Sequence, residues 1–417
     1  MKPKRVVITG LGMVTSLGND VPTNWHNLLQ GKSGAGDITH FDASKFKTHF
    51  ACEVKDLDVS NLFDPKELRR YDRCIHYAIK SAEEAIQDAQ IDVNQEDPLR
   101  CGVIYGSGMG GVHTLDTNIG AYFSGDGTPR YSPFFVPMII TNMAAGMLAI
   151  RYGFKGVNFA TTSACASSAH AIANACYQIR MGLADIIITG GSEAAVECCG
   201  VGGFNALHAL STRNDSPPTA SRPFSASRDG FVLGEGAGTL ILEEYEHAKA
   251  RGAHIYAELV GTGLTADAYH LTASDPEGHG AKNAMLLAIN EAGIAPEDVD
   301  YINTHGTSTP IGDIAEIKAI QDLFGEHAYR INLTSSKSMT GHLLGGTGAV
   351  EAIISILSMQ HGIVTPTINH EEGDDDPNID YQLNFTFNKA QPRDIRYAMS
   401  NNFGFGGHNA CLLFKKY

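Results

Sequence analysis

The sequence predicts an α/β fold made of two similar halves, and two observations support that prediction. Apolar runs of strand length alternate with helical patterns along all 417 residues. An internal repeat relates residues 157–165 to residues 331–339, and in both copies a strand leads through a hydroxyl-rich turn into a helix of small residues. We therefore place the boundary between the halves near residue 253, which gives segments 1–253 and 254–417.

Nine segments have the apolar, β-branched composition that is typical of strands. They are residues 5–9, 101–105, 157–160, 185–189, 239–242, 255–260, 301–304, 331–334 and 411–414. The helices after the two repeated strands are rich in alanine and glycine, so their surfaces allow close packing on both sides. This composition predicts a helix layer between two sheets.

Composition and charge narrow the range of functions. Hydrophobic residues make up 43% of the chain, which is enough for a large core, and a net charge of −15 disfavours a general nucleic-acid-binding role. The eight cysteines include no CxxC pair, and this usage favours reduced thiols in a reducing cytosol. These features predict a cytoplasmic globular protein without a nucleic-acid partner.

One uncharged stretch, residues 131–150, is long enough to span a bilayer. It contains Pro133, Pro137 and Asn142, and it lies in mid-chain without a second such stretch. The basic N-terminus precedes only a short apolar run that meets Gly10 at once, which does not match a signal peptide. We therefore expect no membrane partner and interpret residues 131–150 as buried core or subunit interface.

The strongest candidate for chemistry is Cys165, which lies where a strand ends and an Ala/Ser-rich helix begins. Unpaired amides and the helix dipole at such a position favour a thiolate, which could attack a thioester carbon. His305 and His342 also follow strands, where α/β sheets usually place their sites. Each of the three alone is more often a structural residue, but their matched positions in the two halves predict that they converge.

Two imidazoles exceed what a simple Cys-His hydrolase requires, and they suit a reaction in which two N–H donors stabilise an enolate oxygen. The glycine-rich loop 402–408 could supply an oxyanion-hole N–H from its backbone. Residues 10–15 lack the third glycine of a dinucleotide fingerprint. The cysteine and the two histidines are far apart and lack the paired spacing of zinc ligands. We therefore expect no bound nucleotide and no metal.

The motifs around these residues resemble those of the beta-ketoacyl-acyl carrier protein synthases, essentially over the whole chain and in register. The matching segments are 161–168 (TTSACASS), 222–224 (RPF), 228–231 (RDGF), 305–313 (HGTSTPIGD), 336–342 (SKSMTGH) and 402–407 (NFGFGG). The resemblance implies a thiolase-like fold of two duplicated βαβ-rich halves in five layers (αβαβα), usually assembled as a homodimer. A histidine at position 342, where the initiating branch has asparagine, implies the elongating branch.

The activity that this resemblance implies is an acyltransferase reaction of fatty acid elongation. An acyl chain held on Cys165 would undergo a decarboxylating Claisen condensation with malonyl-acyl carrier protein to give 3-ketoacyl-acyl carrier protein. His305 and His342 would stabilise the enolate, and the amides of Cys165 and Phe405 would form the oxyanion hole, with Phe405 also gating the pocket. No cofactor is implied, because the substrates are carried on the phosphopantetheine arm of acyl carrier protein.

The resemblance also implies supporting residues. They are Lys337 paired with Glu351 to tune the histidines, Thr307 and Thr309 at the pantetheine arm, and Met109 and Phe204 in the acyl tunnel. Acyl carrier proteins are acidic, so docking on a chain of net charge −15 requires a local basic patch. The candidates for that patch are Lys66, Arg69, Arg70 and Arg73, with Arg130 nearby by family analogy.

Three positions depart from the family pattern. His408 stands where threonine is frequent, Met109 stands where many long-chain enzymes carry isoleucine, and His208 replaces an arginine that some relatives use on the docking face. A ketosynthase of a polyketide or aryl-polyene pathway would carry the same motifs. A degradative thiolase would need a second cysteine in the C-terminal glycine loop, whereas Cys411 lies in the final predicted strand. A noncatalytic partner subunit would not keep the cysteine and both histidines.

Overall fold

The computed structural model describes residues 3–417, which form fourteen β-strands and twelve α-helices. The strands are β1 (Val6–Val14), β2 (Gly36–Asp37), β3 (Phe50–Ala51), β4 (Cys101–Gly106), β5 (Asn158–Thr161), β6 (Ile186–Glu193), β7 (Gly236–Glu244), β8 (Ala257–Ala266), β9 (Tyr301–Asn303), β10 (Asn332–Thr334), β11 (Ile363–Val364), β12 (Gln391–Pro392), β13 (Tyr397–Gly404) and β14 (His408–Lys416). The helices are α1 (Val21–Leu29), α2 (Arg73–Asp88), α3 (Val112–Ser124), α4 (Phe135–Ile139), α5 (Met143–Tyr152), α6 (Ser167–Arg180), α7 (Cys198–Ala206), α8 (Tyr245–Ala250), α9 (His279–Ala292), α10 (Pro310–Phe324), α11 (Lys337–Thr340) and α12 (Thr347–His361).

Ten of these strands form a sheet whose order repeats in two halves. The order is β10-β9-β13-β14-β8-β1-β7-β6-β4-β5. It is symmetric about the contact between β8 and β1, where Val7 and Ile8 pair with Glu258 and Ala257. In each half the three outermost strands are parallel, namely β10, β9 and β13 in one half and β5, β4 and β6 in the other, and the strands nearer the centre pair antiparallel. The two repeated segments supply the edge strands β5 and β10. The prediction of an α/β fold with two similar halves is confirmed.

Two helices of small residues lie between the halves of the sheet. α6 packs against β6 and β4, α12 packs against β13 and β7, and the two helices contact each other. Their approach is close: the Ala349 amide donates to Ser168 Oγ at 3.0 Å, and a Cβ on Gly348 would lie 2.9 Å from the Ala169 nitrogen. Side chains larger than those present would separate the two helices. The predicted central layer is therefore present.

The outer layers complete the five-layered arrangement. α2 packs on β1 and β7 of one half, and α9 packs on β8 and β14 of the other. The glycines of residues 10–15 have their explanation here, because a Cβ on Gly12 would lie 1.8 Å from the Ser81 carbonyl oxygen of α2. They let a helix lie directly on the strand, as close helix–strand packing requires.

Each of the nine predicted strands is present, with ends that differ by a few residues. The short strands β2, β3, β11 and β12 lie outside the ten-stranded sheet and were not predicted. Within that sheet, the strand that the composition did not reveal is β13, whose polar residues Ser400, Asn401 and Asn402 break the apolar pattern. All three are fully buried. The Asn401 and Asn402 side chains donate to the carboxylates of Glu316 and Glu351, so their polarity is used inside the molecule.

The uncharged stretch 131–150 divides into α4 and the greater part of α5. Much of it is accessible in the single chain, since Val136 is 58% and Ile150 is 72% exposed. The interpretation as buried core is therefore wrong, and the subunit-interface interpretation is taken up below. Across residues 3–417, no helix has both the length and the apolar character needed to cross a membrane.

Candidate active site

A cavity of about 280 Å³ opens where the carboxyl ends of several strands meet. Cys165 lies in the turn between β5 and α6, His305 follows β9, His342 follows α11, and Phe405 lies in the loop between β13 and β14. All four line the cavity, as do Phe204, Thr307 and Thr309. The structure therefore brings together the cysteine and both histidines that the sequence singled out.

The nucleophile turn is sharply bent. Ala164 has φ of 49°, in the left-handed region, and this bend presents Cys165 two residues before α6, next to the N-cap residue Ala166. The Ser163 amide donates to Ser167 Oγ at 2.9 Å and closes this turn. A Cβ on Gly404 would lie 3.1 Å from the Cys165 nitrogen, so glycine there lets the β13–β14 loop approach the nucleophile.

The resting state of the nucleophile differs from the expected thiolate. Burial raises the pKa of Cys165 to about 12, and the positive charge of Lys337 and the amides of Phe405 and Cys165 oppose that shift without overcoming it. The thiol is thus protonated at neutral pH, and it must lose its proton as it attacks. Both amides lie close enough to the sulfur to lower the pKa of the thiol.

The two histidine rings are neighbours set nearly at right angles. Their centroids are 5.4 Å apart and their planes make an angle of 84°. Burial lowers the pKa of both His305 and His342 well below the ordinary value, and the charge of Lys337 lowers both further. Both imidazoles are therefore neutral at neutral pH, and each carries one N–H.

Hydrogen bonds differ between the two rings. His342 Nδ1 lies 3.0 Å from Thr347 Oγ1, and a hydroxyl that donates to Nδ1 leaves the ring proton on Nε2. His305 Nδ1 is buried and has no hydrogen-bond partner in the part of the chain that the structure describes. The His305 backbone is held instead by Glu316, whose carboxylate accepts from the amides of His305 and Gly306 at 2.9 and 2.8 Å.

Lys337 and Glu351 lie behind the histidines and outside the cavity lining. Lys337 Nζ is 2.5 Å from Glu351 Oε1, and both side chains are 1% exposed. Asn402 Nδ2 donates to the other carboxylate oxygen at 2.7 Å. Burial raises the pKa of Glu351, and the Lys337 charge opposes the rise. The pair places a fixed positive charge beside two imidazoles, which favours their neutral form.

The remaining site candidates fall inside and outside the cavity. Thr307 Oγ1 and Thr309 Oγ1 are 2.9 Å apart at its wall, and Phe204 packs against Phe231 with ring centroids 5.3 Å apart. Met109 is 40% exposed on the turn after β4 and does not line the cavity of the single chain.

Several residues that support the site were given no role in the sequence analysis, although Asn402 begins the matching segment 402–407. Glu316 holds the His305 backbone, Thr347 contacts His342, and Asn402 contacts Glu351. A usable signal existed for Glu316, because a buried glutamate in the helix after a histidine loop is unusual. Thr347, five residues after His342 at the start of α12, shows no pattern that would separate it from an ordinary helix-start threonine.

The basic segment forms a turn and a short 3-10 helix over Leu68–Arg70. Lys66, Arg69 and Arg70 are exposed, and the Arg70 guanidinium lies 5.0 Å from the ring centroid of Phe134. Phe134 lies four residues after Arg130 in the sequence, so this contact places the basic segment near the loop that carries Arg130. The Arg130 guanidinium is paired with the Asp126 carboxylate at 3.0 Å.

Arg73 is a correction to the predicted patch. Its guanidinium turns inward, where it pairs with Glu197 and lies 3.8 Å from Glu235. Its charge is neutralised there, so it is not available to a partner. His208 is exposed on the turn after α7.

Other chemistries receive no support from the arrangement. Cys411 is fully buried in β14 within an apolar cluster and is not part of the cavity lining, so a two-cysteine thiolase site is not formed. Within residues 3–417, no group of three or more His, Cys, Asp or Glu side chains is arranged to hold a metal ion. All eight cysteines are free thiols.

A duplicated five-layer α/β fold with a cysteine and two neutral histidines in one cavity defines a thiolase-like condensing enzyme. The chain belongs to the beta-ketoacyl synthase family. Residues 3–248 match the family's "Beta-ketoacyl synthase, N-terminal domain" and residues 256–371 match its "Beta-ketoacyl synthase, C-terminal domain". It is therefore an enzyme of the acyltransferase class.

Known relatives and solved structures are similar over the full length. The chain is 50% identical over 414 residues to 3-oxoacyl-[acyl-carrier-protein] synthase 2 of Staphylococcus aureus (strain COL), covering 99% of both chains. It is 47% identical over 416 residues to the enzyme of the same name from Coxiella burnetii (strain RSA 493 / Nine Mile phase I), covering 100% of this chain and 99% of the relative. A beta-ketoacyl synthase structure from Burkholderia phymatum STM815 superposes with a TM-score of 0.91 at 38% identity, covering 99% and 100% of the two chains. The structure of a type II polyketide ketosynthase in complex with its acyl-carrier protein superposes with a TM-score of 0.90 at 34% sequence identity, covering 100% of both chains.

Proposed function

We propose that this enzyme extends acyl chains in fatty acid elongation by a decarboxylating Claisen condensation with malonyl-acyl carrier protein. The observation that carries the proposal is the convergence of Cys165, His305 and His342 in one cavity, in a chain about half identical to 3-oxoacyl-[acyl-carrier-protein] synthases. In this proposal residues 1–253 supply the nucleophile and residues 254–417 supply both histidines. The substrates are carried on phosphopantetheine, no cofactor takes part, and the enzyme works in the cytoplasm.

The first half-reaction transfers the acyl chain to the enzyme. The Cys165 thiol loses its proton as the sulfur attacks the thioester carbonyl of acyl carrier protein, and the amides of Cys165 and Phe405 stabilise the oxyanion. The new carbon–sulfur bond forms, and the phosphopantetheine sulfur leaves and regains a proton. A protonated resting thiol suits this step, because a permanent thiolate in the empty site would be exposed to oxidation.

The second half-reaction forms the carbon–carbon bond. His305 and His342, each neutral, donate N–H groups to the thioester carbonyl of the malonyl substrate. As carbon dioxide leaves, the electron pair of the broken carbon–carbon bond stays on the substrate and forms an enolate. The two histidine donors stabilise its negative oxygen. The enolate carbon attacks the Cys165 thioester, the carbon–sulfur bond breaks, and a 3-ketoacyl chain two carbons longer is released on the carrier. Lys337, held by Glu351, keeps both imidazoles neutral for this role.

Positions along the cavity suggest how substrate enters. Thr307 and Thr309 present adjacent hydroxyls that can bind the amides of a pantetheine arm, and Phe204 with Phe405 supplies an apolar wall for the acyl chain. We place Met109 deeper in the acyl tunnel, beyond the cavity of the single chain. Phe405 lies on the loop between β13 and β14 beside the nucleophile, which is the position of a gate.

The product distinguishes fatty acid elongation from the alternative, a ketosynthase of a polyketide or aryl-polyene pathway. Incubation with one acyl-carrier protein and excess malonyl-carrier protein should give an acyl-Cys165 adduct and then a single 3-ketoacyl product, because an enzyme of fatty acid elongation receives fully reduced chains and does not accept the unreduced 3-ketoacyl chain. Mass spectrometry of the carrier-bound products is the measurement. A series of unreduced poly-keto chains would assign the enzyme to a polyketide pathway instead.

We also propose that the enzyme is a homodimer built on the β5 edge. β5 ends the sheet with one side unpaired and its residues at least partly exposed, and an open edge strand of this kind is a natural site for pairing with a second copy. α5 packs against β5, and exposed apolar side chains concentrate on α3 to α5; they are Leu115, Ile119, Phe123, Val136, Ile140 and Ile150. An exposed apolar patch of this kind usually marks a surface that another protein chain covers.

Sedimentation equilibrium tests the assembly. We expect a mass of twice the 44.6-kDa chain, and we expect Phe123→Asp, which is 79% exposed in the single chain, to shift the protein toward the monomer. As a control, Leu271→Asp places the same charge at a side chain that is 77% exposed on a loop away from that edge. A monomeric wild type at micromolar concentration would contradict the proposal.

A docking surface for the carrier protein is the next expected element. We propose that Lys66, Arg69 and Arg70, with Arg130 nearby, attract the acidic carrier in spite of the net charge of −15. The double variant Lys66→Glu/Arg69→Glu should raise the KM for carrier-bound substrate by roughly tenfold and flatten its salt dependence. Arg70 is left in place because it contacts Phe134.

Two comparisons make this result specific. Turnover of a short pantetheine thioester without the protein should change little in the double variant. Lys389→Glu, which changes an exposed lysine near the opposite edge of the sheet, should leave both activities unchanged. If the protein-free substrate lost as much activity as the carrier-bound one, the patch would be structural and not a docking site.

A further inference from the structure

Glu193, the last residue of β6, is a fully buried carboxylate that the mechanism does not use. Its Oε1 accepts from Ser107 Oγ at 3.1 Å and from the Met109 amide at 3.0 Å. Its Oε2 accepts from the amides of Gly108 and Gly345 at 2.8 and 3.0 Å. A carboxylate that accepts four hydrogen bonds is held in place through both of its oxygens.

The donors come from two distant segments of the chain that both border the site. One is the turn after β4, residues 107–109, and the other is Gly345, three residues after His342. Thr162 Oγ1, in the nucleophile turn, donates to the Ser107 carbonyl at 3.0 Å. Glu193 therefore ties the Met109 turn, the nucleophile turn and the histidine loop to one point.

The segments around Glu193 pack so closely that no side chain larger than that of glycine fits at position 345. A Cβ on Gly345 would lie 2.3 Å from the Gly108 nitrogen and 2.7 Å from Glu193 Oε2. The residue before Gly345, Leu344, has φ of 47° and lines the cavity. Both of these strained or crowded positions are kept only if the surrounding contacts hold them.

Apolar side chains close in sequence to Glu193 and Gly345 surround the Cys165 thiol. Ala195 and Val196, two and three residues after Glu193, share a buried cluster with Cys165 and Leu344. Met109 receives its position from the same carboxylate through its amide. The apolar wall near the nucleophile is thus assembled from segments that meet at Glu193.

We propose that Glu193 is a positioning residue that sets the acyl-chain length the enzyme accepts, by fixing the Met109 turn and the Leu344–Gly345 turn as walls of one pocket. This inference rests on the proposed function, because it requires an acyl chain on Cys165. Long chains reach the Met109 turn and depend on its position, whereas short chains and the malonyl group do not.

Glu193→Gln tests the proposal with nearly unchanged shape. An amide presents one oxygen and one N–H₂ group, so in either orientation a donor faces donors and one wall is released. We expect the ratio of kcat/KM for long-chain to short-chain acyl-carrier protein to fall by about tenfold or more, the usual loss when a hydrogen bond to a charged group is removed. Decarboxylation of malonyl-carrier protein, which depends on the histidines, should stay within about threefold of the wild type.

The matched control is Glu84→Gln on α2. Glu84 is also a buried carboxylate that accepts from backbone amides, those of Met13 and Val21 at 2.9 and 2.6 Å, and it does not border the cavity. Burial raises the pKa of both Glu84 and Glu193 to about 7. Loss of stability alone should therefore appear in both variants, whereas a changed chain-length ratio should appear only in Glu193→Gln.

Ser107→Ala keeps the test decisive if Glu193→Gln fails to fold. It removes one of the four donors and leaves the three amides on the carboxylate, so a shift of about threefold in the same ratio is expected. An unchanged ratio in the variants that fold would overturn the inference. Failure of the wild type to form any acyl-Cys165 adduct would instead overturn the proposed function, so the two failures are distinguishable.

Discussion

Replacing Cys165 with alanine should abolish the acyl-enzyme and reduce condensation by roughly 10⁴-fold or more, because the change removes the attacking atom. Intact-protein mass spectrometry with an acyl-carrier protein measures the adduct, and product analysis measures condensation. Decarboxylation of the malonyl substrate should persist, since that step belongs to the histidines. The methyl group of alanine fits the turn, so the fold should be unaffected.

Cys176→Ala is the matched control for this prediction. Cys176 lies on α6, the same helix that the nucleophile precedes, and it is fully buried in the central core. Its loss should lower stability modestly and leave acylation intact. Elongation by Cys165→Ala at close to the wild-type rate would show that the covalent mechanism is wrong.

Loss of either histidine should affect the second half-reaction far more than the first. His305→Ala and His342→Ala each remove one donor to the enolate oxygen, and one such donor is typically worth ~100–1000-fold in rate. Release of carbon dioxide from malonyl-carrier protein is the measurement, and acylation of Cys165 should fall by less than about tenfold. His361→Ala, which removes an exposed histidine stacked on Trp25 outside the cavity, should change neither rate.

The pH dependence follows from the same rings. Their pKa values lie well below the ordinary histidine value, so both stay neutral as the pH falls through the usual titration range of histidine. Decarboxylation should therefore keep its rate down to below pH ~6.5 and fall only at more acidic pH, where an imidazolium replaces a neutral donor. Equal damage to both half-reactions in the two alanine variants would indicate instead a single general base, as in a Cys-His hydrolase.

Much of this protein could be predicted from local patterns. Composition located nine strands, because short runs of β-branched and apolar residues pack well on the half-buried surface of a sheet and are enriched in strands. The repeat of strand, hydroxyl-rich turn and small-residue helix predicted the two similar halves and the central helix pair. Cys165, His305 and His342 were found because each lies in the segment that follows a predicted strand, and the sites of α/β sheets lie at such ends.

Other features depend on contacts between residues that are distant in the chain. The sequence placed Cys165 at a helix start and so favoured a thiolate, but the cavity walls bury the sulfur, and desolvation outweighs the helix amides. Arg73 belongs to a basic segment, yet its side chain is drawn inward by Glu197, more than a hundred residues away. Met109 lies outside the single-chain cavity, because the turn that carries it borders the surface where a second copy is proposed.

The sequence by itself therefore determined the fold class, the duplicated halves and the family, and it singled out the three candidate reacting residues, since these follow from local periodicity and from motifs along the chain. Only the tertiary structure decided the protonation states of Cys165, His305 and His342, because burial and the Lys337 charge set them together. It alone revealed Glu193 as the point where three site segments meet, since its donors lie 84 to 152 residues away in sequence. No local pattern records a hydrogen bond between segments that folding alone brings into contact.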